Sequence, residues 1–228
     1  MRRLPIVLIL LVLLCNLPAA AGRQQSPQRL PLARLELCRL TSGPGLRVRF
    51  PRRAWGTPLA VKHLREVAAA YRERFPRAPP IWVHDMSKAG GGRLPLHFSH
   101  RDGRDADLRL LLRDWRSGYV DATPRTLDVR RTGFLILALI RTCDVEFIML
   151  DRELQAALVP YLAQRVPPDL MPVMLQRSGR WRGAVVRHRP RHRNHFHVRF
   201  RREGEALTHP GARQLCTPPD PPILRIHD

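Results

Sequence analysis

The chain has 228 residues, 40 of them Lys or Arg against 19 Asp or Glu, for a formal net charge of +21. That field selects polyanionic partners: nucleic acid, anionic lipid or an acidic wall polymer. The length allows one domain with a sizeable core, and no segment beyond the first twenty residues is long and apolar enough to span a bilayer.

Met1-Arg2-Arg3 precede an apolar run from Leu4 to Leu17, which exits through Pro18-Ala19-Ala20-Ala21-Gly22. A basic start, a short apolar core and a small-residue exit predict a secretory signal peptide over residues 1–21. The run is about 14 residues, short of the roughly 20 that a membrane helix needs. Cys15 follows Leu13-Leu14, where a lipidation signal would place a small residue, so no lipid anchor is expected. Export makes nucleic acid the least expected partner, and no membrane association is expected of the mature chain. Loss of Arg2 and Arg3 lowers the charge by two, to +19.

Residues 22–37 read as a polar lead-in to a domain over 38–216. Thr57-Pro58 opens a helix, because Thr can cap and Pro is preset for the first turn. Leu59, Val61, Leu64, Val67, Ala68, Tyr71 and Phe75 then recur at helical spacing until Pro76. Ile81-Trp82-Val83-His84 predicts a short strand, and Ser87 to Leu96, with three successive glycines, a loop. Leu127 to Cys143 predicts a second helix and Val145 to Leu150 a strand. Arg152 to Gln164 predicts a third helix, bent or broken at Pro160. Arg180 to Arg193 reads as a basic loop, Asn194 to Arg202 as a strand, and 217–228 as a proline-rich tail outside the core. Helices interspersed with short strands predict an α+β domain.

Three cysteines remain after residue 21. Cys143 lies in an apolar context typical of a buried thiol. Cys38 and Cys216 sit near the two ends of the domain, and the expectation is a Cys38–Cys216 bridge formed in an oxidising compartment.

Two stretches carry chemistry. On a strand through His192-Arg193-Asn194-His195-Phe196-His197-Val198-Arg199-Phe200, the side chains of Phe196, Val198 and Phe200 face a core. His195, His197 and Arg199 share the opposite face. The other stretch is Ser99-His100-Arg101-Asp102-Gly103-Arg104-Asp105-Ala106-Asp107-Leu108, where Asp107 alternates with core-facing Leu108 and Leu110. Imidazole nitrogen and carboxylate oxygen both suit zinc. Each stretch alone also fits a solvated turn or an exposed basic strand; two such strands with apolar backs make a metal site about as expected as not. His97 matches no ligand spacing; it is three residues before His100 and within reach of such a metal, but a place away from it is the more expected. The remaining histidines match no ligand spacing.

The His100-x6-Asp107 spacing, followed downstream by His192-x2-His195-x-His197, resembles the penicillin-insensitive murein endopeptidases, zinc peptidases related to D-Ala-D-Ala metallopeptidases and lysostaphin-like enzymes. Gly90-Gly91-Gly92-Arg93, the Asp105-x-Asp107 pair and Asp151-Arg152-Glu153-Leu154-Gln155 agree with it. The resemblance implies a small antiparallel sheet carrying the zinc site, flanked by helices and long loops. It implies one Zn2+ per chain held by His100, Asp107 and His197. His195 matches the histidine that serves as base or orients the metal-bound water, and His192 the one that polarises the carbonyl. The implied reaction is hydrolysis of D-alanyl–diaminopimelyl cross-links of peptidoglycan, in the periplasm or outside the cell. A D,D-carboxypeptidase or dipeptidase acting on murein stems is the alternative within enzymes. A non-catalytic wall-binding protein of the same fold is the alternative outside them.

Arg101-Asp102 stand where the family usually has a small or amide residue. The region from Arg177 to Arg202 holds ten arginines and no acidic residue. Those departures bear on cross-link preference, and the arginine cluster fits an anionic wall surface as well as it fits simple solvation.

Overall fold

In the computed structural model, residues 36–114, 119–176, 183–207 and 211–216 are described, all within one unit spanning Arg34–Asp228. The expected signal peptide, nearly all of the lead-in and the proline-rich tail lie outside the described residues, as do Arg177, Arg180 and Arg182 of the arginine cluster.

The chain alternates short strands and helices: β1 (Cys38–Arg39), β2 (Leu46–Val48), β3 (Trp55–Gly56), α1 (Pro58–Arg74), β4 (Ile81–Val83), β5 (Asp105–Arg109), α2 (Val129–Ile140), β6 (Val145–Leu150), α3 (Arg152–Leu162), α4 (Met171–Met174), β7 (Val186–His188), β8 (His195–Phe200) and α5 (Ala212–Cys216). The class is α+β, as the pattern of elements predicts. Thr57 caps α1, its Oγ1 accepting from the Ala60 amide at 3.2 Å. Asp128 does the same for α2 through the Arg131 amide at 2.8 Å. Helix α2 is shorter than its apolar run, because Thr142 and Cys143 leave it in a turn and Cys143 adopts a left-handed φ of 62°. Helix α3 runs through Pro160 to Leu162 without breaking. A proline in the last turn forfeits one backbone hydrogen bond near an end that frays anyway.

Six strands form one sheet in the order β2-β4-β5-β8-β6-β7, and β1 with β3 form a separate two-stranded ribbon. The expected antiparallel sheet is realised in the ribbon and in the four central strands. The outer strands β2 and β7 instead run parallel to their neighbours, since each pair is joined through a crossover containing a helix, α1 in one case and α3 in the other. Strand β7 lies inside the stretch expected to be a basic loop. Val186 is fully buried there, and residues 186–188 pair with Ile148–Leu150.

The back of the central strands is dry. Ala106, Leu108, Phe196, Val198 and Phe200 are at most 1% exposed and join one core with the buried faces of α1, α2 and α3. That core fixes which side of β5 and β8 turns away from the helices, because a one-residue slip would exchange the two faces. No helix of the described residues is long and apolar enough to cross a membrane.

The disulfide differs from the expected one. Cys143, in the turn after α2, is bonded to Cys216 at the end of α5, with Cα atoms 5.1 Å apart. Cys38 is free and exposed on the β1–β3 ribbon. The Cys38–Cys216 pairing assumed that proximity to the two ends of the domain meant proximity in space. The left-handed turn at Cys143 is what brings its thiol to α5.

Candidate metal centre

Strands β5 and β8 pair so that Asp105 lies opposite Arg199, Asp107 opposite His197 and Arg109 opposite His195. Residues i and i+2 share a face, so these six side chains share the front of the sheet while the apolar residues between them fill the back. His100 reaches the same place from the loop between β4 and β5. That loop carries three consecutive glycines at φ of 72°, 75° and 86°, a left-handed run that side chains other than glycine rarely adopt. It ends at Gly103 (φ 74°), whose carbonyl accepts from the Thr57 amide at 2.9 Å and ties the turn to the start of α1.

Three atoms converge. His100 Nε2 is 3.2 Å from His197 Nδ1 and 3.3 Å from Asp107 Oδ1, and His197 Nδ1 is 2.9 Å from Asp107 Oδ1. The outer nitrogens fix the tautomers. His100 Nδ1 lies 2.7 Å from the Met86 carbonyl, which only accepts, so Nδ1 carries the hydrogen. His197 Nε2 lies 2.9 Å from Asp105 Oδ1 and donates to it. Both histidines, when neutral, therefore turn lone pairs inward, toward each other and toward a carboxylate oxygen. All three residues are buried: His100 is 2% exposed, Asp107 5% and His197 5%.

Three lone pairs so close together repel unless a proton or a cation sits among them. With a proton there, burial disfavours charge on His197, but its hydrogen bonds to Asp105 and Asp107 outweigh that and raise its pKa to about 9. Asp107 is likewise held well below the usual carboxylate range: burial opposes ionisation, and hydrogen bonds from His100 and His197 overcome it. The separations are also close to the edge of about 3.3 Å expected for a tetrahedron with bonds of roughly 2.0–2.1 Å. The donor set thus fits zinc.

His97 adds to the cluster. Its ring is 4.3 Å from that of His100, Nδ1 is 3.6 Å from Asp107 Oδ2, and Nε2 is 3.4 Å from Asp85 Oδ2. His97, His100 and Asp107 can each offer one ligand atom within 4.8 Å of the others. The two-residue gap between His97 and His100 was the only sequence signal for this; nothing in the spacing singled out Asp85.

The two histidines expected to act on substrate stand beside the cluster. His195 Nε2 is 3.7 Å from Asp107 Oδ1, while Nδ1 is 2.6 Å from Asn194 Oδ1 and 3.3 Å from the Tyr119 hydroxyl. The ring of His192 is 4.8 Å from that of His195 and 6.5 Å from that of His197. Burial and the neighbouring His195 lower the His192 pKa to about 4, and burial lowers that of His195 as well. Tyr119 has no spacing relation to either strand, so no sequence signal singles it out. Burial, with the charge of Asp107, pushes its hydroxyl up to about 12 and keeps it protonated.

Residues 41–131 match the family described as penicillin-insensitive murein endopeptidase. Over that stretch, the likeness read from His100 and Asp107 is supported independently. The matched stretch of the murein endopeptidase family includes His97, His100 and Asp107, and ends before His192, His195 and His197. No curated protein matches the chain.

The arginine cluster is partly internal. Arg193 pairs with Glu153, Arg199 with Asp105 and Arg201 with Asp144. The Arg187 guanidinium lies 4.6 Å from the centre of the Phe147 ring. Arg189 and Arg191 are exposed on the turn that leads to His192.

Proposed function

We propose that this protein is an exported, zinc-dependent endopeptidase that hydrolyses D-alanyl–diaminopimelyl cross-links of peptidoglycan. The observation that carries the proposal is the convergence of His100 Nε2, Asp107 Oδ1 and His197 Nδ1, three inward lone pairs from two distant parts of the chain. These residues would hold one zinc, with His97 alongside. Bound there, the metal supplies a Lewis acid for the scissile carbonyl and acidifies water at neutral pH.

The chain's own groups perform the rest. His195, held through Nδ1 by Asn194, has Nε2 free to take a proton from the attacking water and deliver it to the leaving amine nitrogen. Its lowered pKa keeps it neutral, as a base must be before the reaction. His192 is neutral for the same reason. Its contact with the Pro190 carbonyl is long, at 3.4 Å, so little is lost when the ring turns to donate to the developing oxyanion. Exposed Arg189 and Arg191, next to His192, suit the carboxylates of murein stems. The work site would be the periplasm or the cell exterior, after removal of residues 1–21.

The test is metal analysis with digestion of a dimeric, cross-linked muropeptide. About one zinc per chain and release of monomers is expected. Release of terminal D-alanine alone would replace the proposal with a carboxypeptidase. Absence of any product from the zinc-loaded protein, with retained binding to murein, would replace it with a wall-binding role.

A further inference from the structure

The Asp105–Arg199 pair does not take part in the chemistry above, yet it stands directly behind His197, a ligand in the proposed site. Asp105 is fully buried, and its Oδ1 accepts from His197 Nε2 at 2.9 Å. The same carboxylate receives Arg199 Nη1 on both oxygens, at 2.9 and 2.8 Å. The Arg199 guanidinium is itself held. Nε faces Glu146 at 3.3 Å and Nη2 faces Asp102 at 3.6 Å. Arg104 closes the circuit, reaching Asp102 at 2.8 Å and Glu146 at 3.2 Å. Two guanidiniums and two carboxylates thus alternate in a ring, with Asp105 as a third carboxylate projecting from it toward the histidine.

The local sequence explains the placement. Asp105 and Asp107 are two apart on β5 and share a face, while Arg199 and His197 are their opposite numbers on β8. Asp105 therefore meets Arg199 straight across the ladder and His197 on the diagonal, within reach of long side chains. Its two oxygens serve two partners. A buried carboxylate bonded only to histidine would carry an uncompensated charge; bonded only to arginine it would be a structural pair with no influence on the site.

We infer that Asp105, clamped by Arg199, is a positioning residue for the metal. It holds the Nε2–H of His197, so that Nδ1 is the nitrogen presented to the cation, and it makes that nitrogen more basic. This rests on the proposed zinc site and assigns a role in metal affinity to residues that touch neither metal nor substrate. Groups of this kind typically contribute about 10- to 100-fold in affinity.

The experiment measures zinc affinity of the full chain by competition with a chromogenic chelator, together with the visible spectrum of the cobalt(II)-substituted protein. Asp105→Asn is expected to weaken zinc binding by about 10- to 100-fold and to alter the cobalt bands, with the metal-free melting temperature measured in parallel. Arg199→Lys keeps a cation beside Asp105 and should weaken binding less than Arg199→Met, which removes it. If Asp105→Asn does not fold, the graded order of the two Arg199 variants decides. Zinc affinities within about twofold of wild type in the folded variants would overturn the inference. Wild-type protein that fails to bind zinc would instead overturn the site itself, so the two failures are distinguishable.

Discussion

Asp107 and His197 face each other across the β5–β8 ladder with Oδ1 and Nδ1 2.9 Å apart, although 90 residues separate them in the chain. On the proposed site, removing either partner removes a ligand and leaves the other buried without its counterpart. His197→Ala and Asp107→Ala are each expected to purify with less than about a tenth of the wild-type zinc and to lose muropeptide cleavage, a larger effect than loss of a group behind a ligand. Elemental analysis of dialysed protein checks this; full zinc occupancy in His197→Ala would remove it from the ligand set.

In the proposed mechanism His195 would separate binding from chemistry. With Nε2 3.7 Å from Asp107 and Nδ1 engaged by Asn194, its loss should spare zinc content. His195→Ala is expected to lower kcat by about 10²- to 10⁴-fold, the usual range for a positioned acid–base group. The measurement is steady-state cleavage at saturating substrate beside zinc stoichiometry. Unchanged kcat would assign the proton transfer elsewhere.

Phe196 tests the reverse of the same strand. It is fully buried between the two histidines of β8, and Phe196→Ala is expected to cost about 3–5 kcal/mol in urea denaturation. A loss below about 1 kcal/mol would mean that the back of β8 is not the tightly packed surface described.

The disulfide gives a paired prediction. Cys143→Ser opens the bridge to Cys216, which closes a span of 73 residues, and should cost about 2–4 kcal/mol. Cys38→Ser should change stability by less than about 0.5 kcal/mol, as expected of an exposed site. Equal effects of the two variants in thermal melts would favour a different pairing.

His84 predicts a pH dependence. It is 4% exposed, its Nε2 has no hydrogen-bond partner among the described residues, and burial together with Arg49 lowers its pKa to about 4. The folded pKa lies below the unfolded value of about 6.5, so between these values the unfolded chain binds more protons. The stability that His84 contributes as a neutral group is thus present above about pH 6.5 and is lost as pH falls toward 4. In urea titrations, the difference between His84→Phe and wild type should shift in favour of the variant on acidification. A difference that stays constant with pH would contradict this.

Period-two alternation made the working face legible. Phe196, Val198 and Phe200 had to face the core, which put His195, His197 and Arg199 together on the opposite face of the strand, and the structure has them so. The capped start of α1 and the limits of β6 were equally readable, because capping residues and β-rich runs act locally. Long-range choices were not. Nothing in the spacing of Cys38, Cys143 and Cys216 encodes the left-handed turn that brings Cys143 to α5. Strand β7 was hidden among arginines, since its three residues are held by pairing with β6 more than by their own pattern. Tyr119 and Asp85 reach the site through tertiary folding alone.

The two halves of the metal cluster meet only once β8 has taken its place in the middle of the sheet. A nascent chain that has emerged as far as β6 holds His97, His100 and Asp107 but neither His197 nor His195. On the proposed mechanism, cleavage would therefore wait on insertion of the final central strand, and a chain cut short before that point would lack both His195 and His197.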